Sequence, residues 1–211
     1  MRAVVFGGAD IRDYSFCNEY LDDSIVVCCD GGMKHALSLG IIPDVIVGDF
    51  DSVDNSTAEY FEKKNVPVHK FPTHKDETDM ELGCEAAIQM GADELILIGG
   101  IGSRMDHTMG NCQFLVRLLK EGIKAYLVNE NNFIFVTEDR AILKGEKGSL
   151  VSIFPVGMEA EGVTTKNLEY PLDNAVLSCD SRLIAVSNVM TDVEAEITVK
   201  KGILYIMQCK D

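Results

Sequence analysis

Four short segments carry most of the side chains that could do chemistry. Asp49 and Asp51 stand two apart in Gly48-Asp49-Phe50-Asp51-Ser52. In an extended stretch such positions share a face, so both carboxylates can meet one site. Hard oxygen donors suit magnesium beside a phosphate. The same segment also reads as a solvated turn with Ser52 as a helix cap. Lys75-Asp76-Glu77-Thr78-Asp79 adds further acids and a cation. Asp79 there has a second reading, because acids at a helix start are stabilising in themselves. Cys29-Asp30-Gly31-Gly32 is the third segment, and Gly99-Gly100-Ile101-Gly102-Ser103-Arg104-Met105-Asp106-His107 the fourth. Its glycines could let backbone amides approach phosphates, with Arg104 and Lys75 as cations for the oxygens. It is not a P-loop, since no Gly-Lys-Ser/Thr follows four variable residues. It also fails the dinucleotide fingerprint, with Met105 where the third glycine should stand. His107 reads either as a ligand contact or as a capping or packing group. His35, His69 and His74 show no metal spacing and read as structural or solvated. No Cys/His or Ser/His pair at recognisable spacing offers covalent catalysis. The set as a whole points to phosphoryl or nucleotidyl transfer.

Such a set needs a sheet whose strand ends converge. Ala3–Phe6, Ile25–Cys29, Val45–Val47, Val66–His69, Leu95–Ile98 and Ala125–Val128 read as strands. Amphipathic segments lie between several of them, around Val53–Lys64, Thr78–Met90 and Asp106–Glu121. Continuous apolar strands with helical connections predict a parallel sheet covered on both faces. Thr78 to Glu81 has capping-box spacing, Met80, Cys84, Ala87 and Ile88 form one stripe, and Gly91 suits the helix end. In open α/β sheets ligands bind beyond the carboxyl ends of the strands, where the four segments fall.

The pattern changes near residue 130. Phe133–Val136, Leu150–Phe154, Glu161–Thr165, Leu183–Ser187, Glu194–Val199 and Ile203–Met207 are short runs rich in β-branched residues. Short strands at this spacing predict an antiparallel sandwich or barrel. The expected organisation is an α/β domain over 1–130 and an all-β domain over 131–211.

The chain has 211 residues, 46% hydrophobic and 25% charged, which excludes disordered and fibrous classes. Its longest apolar runs are about five residues against the ~20 of a membrane helix, so neither a membrane span nor a signal peptide is expected. Net charge is −15, and 22 Asp and Glu against 11 Lys and Arg precede residue 131. Such a surface repels nucleic acid backbones, and the excess reads either as solubility or as acids gathered on metal. The seven cysteines have neither zinc nor redox spacing and read as buried, reduced thiols of a cytoplasmic protein.

The order of the motifs resembles the thiamine pyrophosphokinase family. Asp30-Gly31-Gly32, Gly48-Asp49-Phe50-Asp51-Ser52, Lys75-Asp76-x-Thr78-Asp79 and Gly99-Gly100-x-Gly102-x-Arg104-x-Asp106-His107, followed by Asn111, carry the resemblance. It extends to Ser187-Asn188 and so covers nearly the whole chain. No single segment is specific, but the four in order are. The resemblance implies an α/β catalytic domain followed by a β-sandwich thiamine-binding domain. It implies a homodimer with shared active sites, Mg2+ as cofactor and ATP as co-substrate. The activity implied is diphosphate transfer from ATP to thiamine, giving thiamine diphosphate and AMP. By the resemblance Asp49, Asp51 and Asp79 hold magnesium and the phosphates, with Asp76 close by. Asp30, Gly31, Ser52, Lys75, Thr78, Gly100, Gly102, Arg104, Asp106, His107 and Asn111 form the ATP site. Ser187 and Asn188 face thiamine. The chain departs from the pattern at Val189-Met190, where an acid or an aromatic is expected, and it has no Trp. Thiamine carries a fixed positive charge, which an acidic site attracts. Two other readings fit the motifs. One is a pyrophosphokinase for another primary alcohol, such as a hydroxymethyl pterin. The other is a non-catalytic nucleotide- or thiamine-sensing protein.

Overall fold

The computed structural model describes residues 1–48, 55–70, 77–180 and 185–210. The chain divides into two compact units, Met1–Glu130 and Asn131–Asp211.

In the first unit the strands are β1 (Arg2–Phe6), β2 (Ile25–Cys29), β3 (Val45–Gly48), β4 (Val68–Lys70), β5 (Glu94–Ile98) and β6 (Lys124–Val128). They pair in parallel in the order β6-β5-β1-β2-β3-β4. Among the described residues five α-helices connect them: α1 (Asn18–Leu21), α2 (Met33–Leu39), α3 (Asn55–Lys63), α4 (Asp79–Gln89) and α5 (Met105–Lys120). β1 and β5 are buried almost end to end, as the doubly covered parallel sheet requires. Packing of α4 on β2 is close. A Cβ on Gly83 would lie 2.1 Å from the Cys29 sulfur, so a glycine at that turn sets the depth of the helix. Sequence periodicity locates α3, α4 and α5 to within two residues. It misses α2, whose seven residues are too few to show a period.

In the second unit β9 (Leu150–Pro155), β14 (Leu204–Cys209) and β7 (Asn132–Thr137) form one antiparallel set, with the two-residue β12 (Asn188–Val189) beside β9. A second sheet runs in the order β11 (Ala175–Ser178), β10 (Glu159–Lys166), β13 (Glu194–Thr198), β8 (Arg140–Lys144). Leu143, Val151, Ile153, Val163, Leu177, Ile197, Leu204 and Ile206 interleave between the sheets as one core. Helix is absent among the described residues of this unit. Of the expected strand Leu183–Ser187, the described residues 185–187 are not in a strand. Residues 183 and 184 lie outside the described residues. Ser187 takes φ +54, which breaks a strand; Ile153 N of β9 donates to Ala185 O, and the regular ladder starts at Asn188.

All seven cysteines are free thiols, five of them buried. Cys179 is exposed and Cys209 only half-buried, against the expectation that all are buried.

Candidate active site

The order of the first sheet reverses between β1 and β5. From β1 the chain steps through β2, β3 and β4, and from β5 it steps the other way to β6. Ligands bind at such switch points, outside the carboxyl ends of the strands. The loops that leave these ends are tied together by backbone. Gly7 N donates to Ile98 O at 2.7 Å, and Ala9 N donates to Gly99 O at 2.9 Å. Gly99 has φ +73, and a Cβ there would lie 2.4 Å from Gly7 O. Only glycine meets both demands. The Gly8 and Gly31 backbones also run side by side, since a Cβ on Gly31 would lie 3.5 Å from Gly8 Cα.

Asp30 closes β2 with φ +44, a left-handed conformation that aspartate tolerates better than most residues. It is only 8% exposed. Its side chain packs against Gly48, where an added Cβ would lie 3.1 Å from Asp30 Cβ. Asp30 therefore adjoins the residue that leads into Asp49. Asp49, Asp51, Ser52, Lys75 and Asp76 lie outside the described residues.

The start of α4 approaches the same strand end. Thr78 Oγ1 accepts from Glu81 N at 3.2 Å, and Thr78 N donates to Glu81 Oε2 at 2.8 Å, which completes the expected capping box. Asp79 follows, half-buried. Burial pushes the Cys29 thiol well above its usual range, and neighbouring charges add to this, Asp79 and Asp30 among them. The two carboxylates thus act on one point at the end of β2. Among the described residues no three His, Cys, Asp or Glu side chains group as a metal site. Asp30 and Asp79 are nevertheless hard oxygen donors of the kind magnesium takes, and Asp30 packs beside Gly48.

α5 holds the glycine-rich loop. Buried Asn111 donates from Nδ2 to Gly100 O at 2.8 Å, and Gly102 N donates to Thr108 Oγ1 at 3.2 Å. Asn111 is thus engaged in shaping the loop. Arg104, at the N-cap, donates to Asp106 through Nη2 at 2.5 Å and Nε at 3.2 Å. That guanidinium holds the Asp106 carboxyl down at about 2. Both side chains are about two-thirds exposed, and His107 is exposed beside them.

Ser187 and Asn188 belong to the second unit. Ser187 N donates to Ser152 Oγ at 3.0 Å. The Asn188 carboxamide is 6% exposed, accepts from Tyr170 N at 3.0 Å and donates to Tyr170 O at 2.7 Å. It also accepts from Val189 N.

Sequence reasoning missed the group beneath the β1 loop. His35 is fully buried, with Nε2 2.9 Å from Ala9 O and Nδ1 2.8 Å from Tyr14 Oη. Lys34 Nζ donates to Gly8 O at 2.8 Å and to Asp10 Oδ1 at 2.7 Å. The available signal was Gly7-Gly8 at the end of an apolar strand.

Comparison with known proteins adds the following. Residues 17–127 match the family model "Thiamin pyrophosphokinase, catalytic domain", and residues 139–204 match "Thiamin pyrophosphokinase, vitamin B1 binding domain". The chain is 30% identical over 195 residues to the thiamine pyrophosphokinase of Bacillus subtilis, covering 91% of each. It is 26% identical to thiamine pyrophosphokinase 1 of Oryza sativa, covering 88% of this chain and 79% of the relative. Among solved structures, the Bacillus subtilis thiamine pyrophosphokinase aligns over 100% of both chains with a TM-score of 0.90 and 27% identity. The Geobacillus thermodenitrificans thiamin pyrophosphokinase aligns over 100% of this chain and 98% of its own, with a TM-score of 0.88 and 25% identity.

Proposed function

The chain belongs to the thiamin pyrophosphokinase family, and from that premise we propose that it transfers the diphosphate of ATP to the primary hydroxyl of thiamine, releasing thiamine diphosphate and AMP. The observation that carries the reading is that both family models match, catalytic then vitamin-binding, over the two halves of one chain. Nothing in the comparisons favours a pterin pyrophosphokinase or a sensor.

Thiamine's hydroxyl attacks the β-phosphorus and AMP leaves. The protein's work is to hold the two reactants in line and to offset charge. Asp49, Asp51 and Asp79 would hold Mg2+, with Asp76 close by. The bound ion would neutralise charge on the phosphate oxygens. Support comes from the buried Asp30 beside Gly48 and from Asp79 at the capped start of α4. Asp30, Gly31, Ser52, Thr78, Gly100 and Gly102 form the nucleotide side. Lys75 and Arg104 meet phosphate oxygens, with Asp106 steering the Arg104 guanidinium and His107 exposed beside them. Asn111 acts through the Gly100 carbonyl that it holds.

Ser187 and Asn188 serve thiamine, Asn188 by fixing the Tyr170 backbone. We further place the protein in the cytoplasm as a homodimer that shares its sites. Its free thiols fit a reducing compartment, and no helix among the described residues is long and apolar enough to cross a membrane.

The test is incubation with magnesium, ATP and thiamine. AMP is expected in step with thiamine diphosphate. ADP with thiamine monophosphate as the only products overturns the proposal.

A further inference from the structure

At the switch point lies a loop that none of the motifs above supplies, Gly7-Gly8-Ala9-Asp10 after β1. Four contacts hold it. Two are the backbone bonds to Ile98 and Gly99 on the β5 side. The third is Lys34, whose ammonium donates to Gly8 O and to Asp10. The fourth is His35. Ala9 O can only accept, so Nε2 carries the proton, and Nδ1 then accepts from the Tyr14 hydroxyl. One imidazole is thereby fixed in tautomer and orientation by partners on two sides. The Phe6 and Tyr14 rings pack against it, with centroids 6.1 and 5.7 Å away. A Cβ on Gly99 would lie 3.3 Å from His35 Nε2, so the ring reaches the β5 loop as well as the β1 loop.

A core position asks only for an apolar side chain of the right volume. A fully buried imidazole with both nitrogens matched holds one loop geometry instead. That geometry lies where β1 and β5 part, the place at which open α/β sheets receive a nucleotide.

We propose that His35 is a positioning residue for ATP: together with Tyr14 and Lys34 it fixes the Gly7–Asp10 loop as the nucleotide-facing wall of the crevice between β1 and β5. The proposal rests on the reading that this site takes ATP.

Calorimetric titration of the full chain with ATP and magnesium, without thiamine, tests it. His35→Ala should weaken ATP binding about tenfold, and Tyr14→Phe by a few-fold. His35→Gln restores a donor toward Ala9 O and should fall between wild type and His35→Ala. Phe61→Leu, a change in a buried residue of α3, controls for loss of stability and should leave ATP affinity unchanged. Circular dichroism establishes that each variant is folded. If His35→Ala fails to fold, Tyr14→Phe and His35→Gln decide. Wild-type affinity in both folded variants overturns the proposal, as does an equal loss in Phe61→Leu. A wild-type chain that does not bind ATP overturns it too. A wild-type chain that binds ATP but forms no thiamine diphosphate overturns the proposed transfer alone.

Discussion

The two units hold their candidate residues by opposite means. In the first, backbone meets backbone: Gly7 and Gly99 let strand-end loops approach to distances at which a side chain would collide, and Gly48 packs tightly on Asp30. In the second, side chains reach across the fold to backbone. Asn188 clamps Tyr170, and Ser152 holds the amide of Ser187 35 residues away. A site made of close turns writes itself as short local motifs. A site made of distant clamps leaves no spacing to read.

The largest effect that would sharpen this contrast lies on the acidic turn. Asp51→Asn should lower turnover by a few hundredfold or more, about 3–4 kcal/mol of barrier, while the protein stays folded. Near-normal turnover at saturating magnesium would remove Asp51 from the site.

Next is Gly99→Ala. The added Cβ meets Gly7 O at φ +73, so a loss of about 2–4 kcal/mol in urea unfolding is expected. An unchanged midpoint would mean that the turns are not backbone-limited. In the second unit, Asn188→Ala removes the clamp and leaves Tyr170 N and O without it. A cost of about 1–3 kcal/mol is expected, with KM for thiamine raised and KM for ATP unchanged. If KM for ATP moves instead, the division of labour between the units is wrong.

The smallest effect separates the glycines of the first unit from one another. Gly110 sits inside α5, is exposed, and has nothing within 4 Å of an added Cβ. Gly110→Ala should stabilise the protein by about 1 kcal/mol, read as a higher thermal midpoint. Destabilisation would show that this glycine, like Gly99, answers to a close approach.

The same contrast explains what was legible. Strands β1, β2, β3 and β5 of the first sheet announce themselves because both of their faces are buried, giving unbroken apolar runs such as Val4-Val5-Phe6 and Leu95-Ile96-Leu97-Ile98. In the second unit β8 and β11 escaped notice, and both are edges of the four-stranded sheet. Arg140 and Lys144 bracket β8, and Ile142 and Val176 point outward, so neither strand shows a clean apolar face. The end of the expected strand Leu183–Ser187 misled in the other direction: its composition is strand-like, but Ser187 takes φ +54, which composition does not reveal. For the site, Thr78 and Glu81 were readable because a cap has fixed spacing. Tyr14 and His35 were not, because 21 residues separate two halves of one contact.

That buried imidazole also makes the fold a proton-sensitive object. Burial, and next the nearby Lys34 charge, lower the His35 pKa from 6.5 to about 4, against the smaller opposing pull of the Ala9 carbonyl and Asp10. The folded chain therefore refuses a proton that the unfolded chain accepts below about 6.5. Stability carried by the neutral ring is complete above that pH and is lost progressively as pH falls from 6.5 toward 4, by about 3 kcal/mol across the window. Acidification should thus loosen the β1 loop first. Urea midpoints of wild type and His35→Gln, compared between pH 7 and pH 4, should draw together as the acid limb is entered.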